Sequence, residues 1–123
     1  GRFCAVLHGP RFAHAWTHDP ATLAGGSSDL LAGLASPPAL HPERGVLAAP
    51  APGGGFVLSL PLASGETRLV DAGQTIALLP PSLGPPDRLR LDRAWIELEW
   101  YPSPGARWRH GYLRLPYGAF RGP

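Results

Sequence analysis

The chain has 123 residues, a hydrophobic content of 44% and a formal net charge of +2, which together predict a single folded domain with one modest core. A charge of +2 without a basic stripe gives no nucleic-acid-binding signal. The apolar runs are far shorter than the roughly 20 residues that a membrane span needs. Sixteen glycines and 16 prolines predict long irregular connections.

Residue usage also bears on the source and compartment of the protein. Lys, Asn and Met are absent, which fits a GC-rich genome, and the lack of Met predicts a piece of a longer or processed protein. The single cysteine, Cys4, excludes an internal disulfide and a multi-cysteine zinc site, and its apolar surroundings predict a small buried side chain. The N-terminus lacks a signal-peptide pattern, so we expect a soluble chain of unassigned compartment.

The first predicted elements are a strand and a region of short helices. The run "RFCAVLH" (2–8) is typical of a central strand, and "GP" ends it. Between residues 17 and 36, Asp19 before Pro20, and Ser27 or Ser28 before a short apolar segment, are typical helix caps. We therefore predict one or two short helices there.

The middle of the chain predicts strands only. After a short strand at 45–49, "FVLSLPL" (56–62) alternates in a way that is typical of a strand with one buried face. The segment "ASGE" predicts a turn, and two further strands follow, joined at Gly73, where a positive φ is natural.

The C-terminal third carries the clearest β-pattern. A proline-rich junction at 80–87 precedes a predicted hairpin at 94–115. In its first strand Ile96, Leu98 and Trp100 alternate with Glu97 and Glu99, which predicts that the glutamates face solvent. The chain is therefore predicted to be one all-β domain, a small sandwich or barrel of about eight short strands.

Few residues suggest catalysis or metal binding. His14 and His18 are four apart and would share one face of a helix, which makes them weak metal candidates, but Pro20 favours a loop there. The serines lack a nucleophile-elbow context. We expect no metal site and no cofactor.

The aromatic residues near the C-terminus admit two interpretations. Cross-strand aromatic pairs stabilise hairpins, whereas Trp, Tyr and Arg are enriched where proteins bind one another, and Arg114 interleaves with this cluster. The candidate binding residues are Trp95, Trp100, Arg107, Trp108, Arg109 and Tyr112.

Three stretches, of about 45 residues together, resemble the trimeric deoxyuridine triphosphatase family. "FCAVLHGPRFAHA" is similar to a strand leading into a phosphate-holding Pro-Arg-Ser motif, with Pro10 and Arg11 at its first two positions. "RGVLAAP" is similar to the strand before the catalytic loop. "GFVLSLPLASGETRLVDAGQTIALL" is similar to a strand pair that ends in Gly-Asp-Arg-Ile-Ala-Gln-Leu, with Gly73, Ile76, Ala77 and either Leu78 or Leu79 on that motif.

The departures from the family lie at its chemical positions. Phe12 and Ala13 replace small and hydroxyl-bearing residues, and "APGGG" (51–55) replaces the loop with the catalytic Asp and Tyr. The resemblance implies a degenerate member that keeps a distorted jelly-roll or β-clip scaffold and retains Arg11 as a remnant of the phosphate site. Such relatives occur in herpesviruses with GC-rich genomes, where they serve as interaction or structural domains.

Three functions therefore stand as hypotheses. The first is a non-catalytic β-domain that contacts another protein or copies of itself, or that serves as a structural component of a larger assembly, viral or other. The second is a deoxyuridine triphosphatase-like hydrolase whose site other segments complete. The third is an SH3-like module in the C-terminal hairpin, which requires an aromatic groove for a peptide.

Overall fold

A computed structural model describes residues 3–34 and 36–117. The described residues form ten strands and one short 3-10 turn, Pro81–Leu83. In chain order the strands are β1 (Phe3–His8), β2 (Ala13–Asp19), β3 (Ala24–Asp29), β4 (Leu47–Pro50), β5 (Phe56–Pro61), β6 (Thr67–Asp71), β7 (Gln74–Leu79), β8 (Arg88–Asp92), β9 (Trp95–Trp100) and β10 (Gly111–Pro116). The predicted all-β class is confirmed.

The strands form three open antiparallel sheets. The N-terminal sheet has the order β1-β2-β3, the central sheet β4-β5-β6-β7, and the C-terminal sheet β10-β9-β8. Within each sheet the strands follow one another in chain order, so the described strands contain neither a closed barrel nor the Greek-key return that a jelly roll requires. The barrel and jelly-roll forms of the prediction are therefore wrong.

The three sheets are stacked, with the central sheet in the middle. Leu58, Leu60 and Val70 face the N-terminal sheet, where they contact Ala13 and Ala15. Residues on the opposite face contact the C-terminal sheet, namely Val57 and Leu69 with Ile96 and Leu98. Strand β5 is consequently buried on both faces from Val57 to Pro61, and the expectation of one buried face is wrong.

The short helices expected between residues 17 and 36 are absent from the part of that range that the structure describes, which holds the end of β2, all of β3 and turns. The Oδ1 atom of Asp19 accepts a hydrogen bond from the Ala21 N–H at 2.9 Å, and Asp29 Oδ1 accepts one from Leu31 N–H at 3.0 Å. A short carboxylate that caps a helix can equally begin a turn, because the local hydrogen bond is the same. Here Asp-Pro turns the chain from β2 into β3.

Two strand positions also differ from expectation. The first strand is confirmed, but β1 lies at the edge of its sheet and β2 lies in the middle. Strand β8 was missed, although Leu89 and Leu91 alternate with Arg88 and Arg90. The proline-rich junction obscured this signal because its prolines favour irregular structure up to Pro86.

The predicted turn at Gly73 is confirmed. Ala72 has φ +52° and Gly73 has φ +78°, and only these two residues separate Asp71 from Gln74. A two-residue hairpin loop with two positive φ values is a type I′ turn, whose twist matches that of the flanking strands. Gly73 accepts this conformation without the steric cost that a Cβ adds.

A polar and aromatic surface on the C-terminal sheet

The outer face of the C-terminal sheet is the candidate functional site. The predicted pairing within residues 94–115 is confirmed, with Leu98 opposite Leu113 and Glu97 opposite Arg114. Ile96, Leu98 and Trp100 face the core, as predicted. The alternate residues therefore form the opposite face, which we call the outer surface. It consists of Arg88, Arg90, Asp92, Trp95, Glu97, Glu99, Tyr101, Tyr112 and Arg114, with Arg109 laid across it.

The two glutamates at its centre are buried, contrary to the expectation that they face solvent. Glu97 is 5% exposed and Glu99 is 6% exposed. Both lie on the middle strand of the sheet, so longer side chains from β8 and β10 cover them from either side. The missed strand β8 explains the error, because Arg88 and Arg90, which lie over these glutamates, belong to it.

Arginines from both sides pair with these carboxylates. Arg90 Nη2 lies 3.3 Å from Glu97 Oε2, and Arg109 Nη1 lies 3.3 Å from Glu99 Oε2. Arg88 Nη1 is 4.0 Å from Glu99 Oε1. These guanidinium groups stay about half exposed, so the ion pairs lie under a single layer of side chains and remain close to water.

Tyrosine hydroxyls complete the network. Tyr112 donates a hydrogen bond to Glu97 Oε2 at 2.7 Å, and Tyr101 donates one to Glu99 Oε2 at 3.1 Å. The bond from Tyr112 holds the pKa of Glu97 below its usual value, although burial acts in the opposite direction. Burial and the bond to Glu97 raise the pKa of Tyr112. The structure therefore favours an ionised glutamate and a neutral tyrosine.

Two arginines stack on aromatic rings of this surface. The Arg109 guanidinium carbon lies 3.8 Å from the centre of the Tyr112 ring, and that of Arg114 lies 4.3 Å from the Trp95 ring. Each stack is a cation–π contact, which attracts and orients both side chains. Arg109 also pairs with Glu99, so it is held from two directions.

The predicted binding residues divide into three groups. Trp95, Arg109 and Tyr112 lie on the outer surface, and Arg107 and Trp108 lie in the loop before β10, where Trp108 is 67% exposed. Trp100 is a core residue, 8% exposed, whose Nε1 donates to the Gly84 carbonyl at 3.1 Å. Trp100 therefore lies on the core face of β9 and not on the outer surface.

The histidine and Arg11 candidates lie elsewhere in the molecule. His14 and His18 share a face of β2, but four residues along a strand separate them by about 13 Å, whereas a helix would bring them together. Among residues 3–34 and 36–117 there is no cluster of three or more His, Cys, Asp or Glu side chains that could hold a metal ion. Arg11 is exposed in the β1–β2 turn, in a different sheet from the outer surface.

A cleft of about 370 Å³ lies beside β10, at the edge of the outer surface. Its lining is largely apolar or aromatic and includes Leu83, Trp100 and Leu113. Gly111 lies against the Trp100 ring, where an added Cβ would approach a ring carbon to 3.3 Å. The absence of a side chain at this position therefore lets the strand pass close to the indole.

Comparisons of the chain with protein-family models, with curated proteins and with solved structures found no match. Within the described residues, no helix is both long and apolar enough to cross a membrane. The functional argument consequently depends on the geometry of the outer surface.

Proposed function

We propose that this chain is a non-catalytic β-domain that contacts another protein through the outer surface of its C-terminal sheet. The observation that carries the proposal is the arrangement of Arg109, Tyr112, Arg114 and Trp95 around a buried carboxylate pair. Trp, Tyr and Arg are the side chains that contribute most to protein–protein affinity.

The network supports binding because it fixes these side chains before a partner arrives. A mobile arginine loses rotamer freedom when it enters an interface, at a cost of about 0.5–1.5 kcal/mol. Arg109 already has a carboxylate and an aromatic partner, so folding has already removed most of its rotamer freedom and binding removes little more. A partner would meet a rigid surface with exposed guanidinium edges.

The same network argues against acid–base catalysis at this site. A general acid needs a carboxyl group that holds its proton near neutral pH, and Tyr112 instead lowers the pKa of Glu97. Glu99 is engaged by Arg109 and Tyr101. Both carboxylates therefore act to hold other side chains in place.

Site-specific photo-crosslinking tests this proposal. A photoreactive phenylalanine at position 108, in place of exposed Trp108, should give one discrete adduct in an extract of the source cells. The matched control carries the same residue at position 23, because Leu23 is also exposed but lies next to the N-terminal sheet. The adduct mass distinguishes a second copy, at twice 13.0 kDa, from another protein.

The variant Arg114→Glu should abolish the adduct at position 108 and leave the thermal unfolding temperature within a few degrees of wild type. The proposal fails if positions 108 and 23 give the same adducts. It also fails if position 108 gives none.

A further inference from the structure

Strand β10 has one hydrogen-bonding edge that no other described strand occupies. It lies at the end of the C-terminal sheet, and its only strand neighbour among the described residues is β9. Tyr117 N–H donates to the Ala94 carbonyl at 2.8 Å, in register with the ladder. Because hydrogen-bonded and non-hydrogen-bonded pairs alternate along an antiparallel ladder, the N–H groups of Tyr112 and Arg114 point away from β9.

One end of this edge carries a residue that blocks pairing with another strand. Pro116 lies at a position whose N–H would also point away from β9, and proline supplies none. Tyr112 and Arg114 keep their donors, and their carbonyl groups point the same way. The N-terminal two-thirds of β10 can therefore accept another strand.

The cleft described above runs beside this part of the edge. Gly111 and Leu113 face the core side of the sheet and line the cleft together with Trp100 and Leu83. An added strand would place alternate side chains on this apolar side. The intervening side chains would lie on the outer surface, because side chains alternate across a strand.

The charge of residues around β10 indicates which side chains an added strand would carry on the outer surface. Residues 102–117 contain three arginines and no acidic residue. Arg114 lies on β10 itself and Arg109 stacks on Tyr112 of the same strand, so both guanidinium groups lie on the outer surface. Acidic side chains on an added strand would complement them.

We propose that β10 binds an extended segment of another protein as a fourth strand of the C-terminal sheet, and that apolar and acidic residues alternate in this segment. The proposal rests on the proposed function, since the acidic residues would contact the same outer surface. The edges of the other sheets fit such a ligand less well. Strand β3, for example, has no large apolar side chain, and its one charged residue, Asp29, is acidic and would repel an acidic ligand.

The test uses a fluorescein-labelled peptide with four Glu-Val repeats and measures its anisotropy against the whole 123-residue chain. Two comparison peptides carry four Lys-Val repeats, or four Glu followed by four Val. Saturable binding of the alternating acidic peptide alone is expected. In the Lys-Val peptide the lysines would be repelled by the arginines. In the peptide with four Glu followed by four Val, some glutamates would have to enter the apolar cleft.

Two variants of one residue isolate the backbone contribution. Arg114→Ala removes the charge, whereas Arg114→Pro removes the charge and the free N–H without removing a bond to β9. Arg114→Pro should bind the peptide about tenfold more weakly than Arg114→Ala. Equal unfolding temperatures of the two variants would show that both are folded.

A second pair of variants tests the cleft independently of the backbone. Leu83→Asp places a charge in the cleft and should weaken peptide binding at least tenfold relative to wild type. Leu78→Asp is the matched control, because Leu78 is also 51% exposed but lies on β7, outside the cleft, and it should bind like wild type.

The outcomes separate this inference from the proposed function. Suppose that position 108 gives its adduct but that Arg114→Pro and Leu83→Asp bind the peptide with the affinities of Arg114→Ala and wild type, respectively. Strand addition is then overturned and the proposed function stands. A proline-rich peptide that binds in place of the acidic one, with equal affinity for the two Arg114 variants, also overturns strand addition. Loss of both the adduct and the peptide binding overturns both proposals.

Discussion

The N-terminal and C-terminal sheets have the same strand topology but carry different side chains on both of their faces. Each is a three-stranded meander stacked on one face of the central sheet. The N-terminal sheet packs inward with Ala13 and Ala15, whereas the C-terminal sheet uses Leu98 and Trp100. Small inward residues bring two sheets close together, while large ones fill a wider gap.

The outer faces differ more than the inner ones. On the N-terminal sheet Trp16 is 47% exposed, and its described ring contact is with His14, at a centroid distance of 6.3 Å. On the C-terminal sheet the aromatic rings carry stacked arginines and bond to buried carboxylates. Both outer faces carry aromatic rings, and the charged middle strand β9 makes only the C-terminal one an ordered network.

The largest expected contrast is between Trp100 and Trp16. Trp100→Ala should lower the free energy of unfolding by about 3–5 kcal/mol, because it opens a cavity in the core and removes the bond to Gly84. Trp16→Ala should cost less than about 1 kcal/mol. Urea unfolding measures both, and equal losses would contradict the core placement of Trp100.

A smaller contrast compares two alanines of the N-terminal sheet. Ala15 is fully buried against the central sheet, so Ala15→Leu should destabilise by about 1–3 kcal/mol through overpacking. Ala5 is exposed on the opposite face of that sheet, and Ala5→Leu should change stability by less than about 0.5 kcal/mol. Thermal unfolding distinguishes them. Tolerance of leucine at both positions would argue against close packing of the two sheets.

The smallest expected effect concerns the buried carboxylates and depends on pH. The folded state lowers the pKa of Glu97, so its stabilising contribution is present near neutral pH and disappears as the pH falls through the folded pKa, which lies below the usual glutamate value. Glu97→Gln should therefore cost about 1 kcal/mol at pH 7 and progressively less in acid.

The control for this measurement is Glu43→Gln, since Glu43 is exposed in the loop before β4. This variant should match wild type across the pH range. Urea unfolding at several pH values gives the comparison. A constant difference between Glu97→Gln and wild type down to pH 3 would show that the network does not depend on the ionised carboxylate.

Sequence patterns predicted the elements whose local signals agree. The alternation of Ile96, Leu98 and Trp100 identified the hairpin and its core face, and Gly73 identified a turn that needs a positive φ. They failed where one residue type serves two local structures. Asp19-Pro20 begins a turn here, although the same pair commonly begins a helix.

The candidate site was predictable in part, for a related reason. Trp95, Arg109 and Tyr112 were identified from composition, and the structure places all three on one surface. Glu97 and Glu99 were assigned to solvent because an alternating strand usually exposes its charged residues. Side chains of neighbouring strands, such as Arg90 and Tyr112, bury them, and the sequence of β9 alone does not indicate which strands lie beside it.

The sequence by itself determined the all-β class, the faces of β9 and the turn at Gly73, because periodicity and positive φ are properties of adjacent residues. The tertiary structure decided that β5 is buried on both faces, that Trp100 belongs to the core and that two glutamates lie under arginines. Burial is set by which strands lie alongside and above one another, and strand pairing joins residues far apart in the chain.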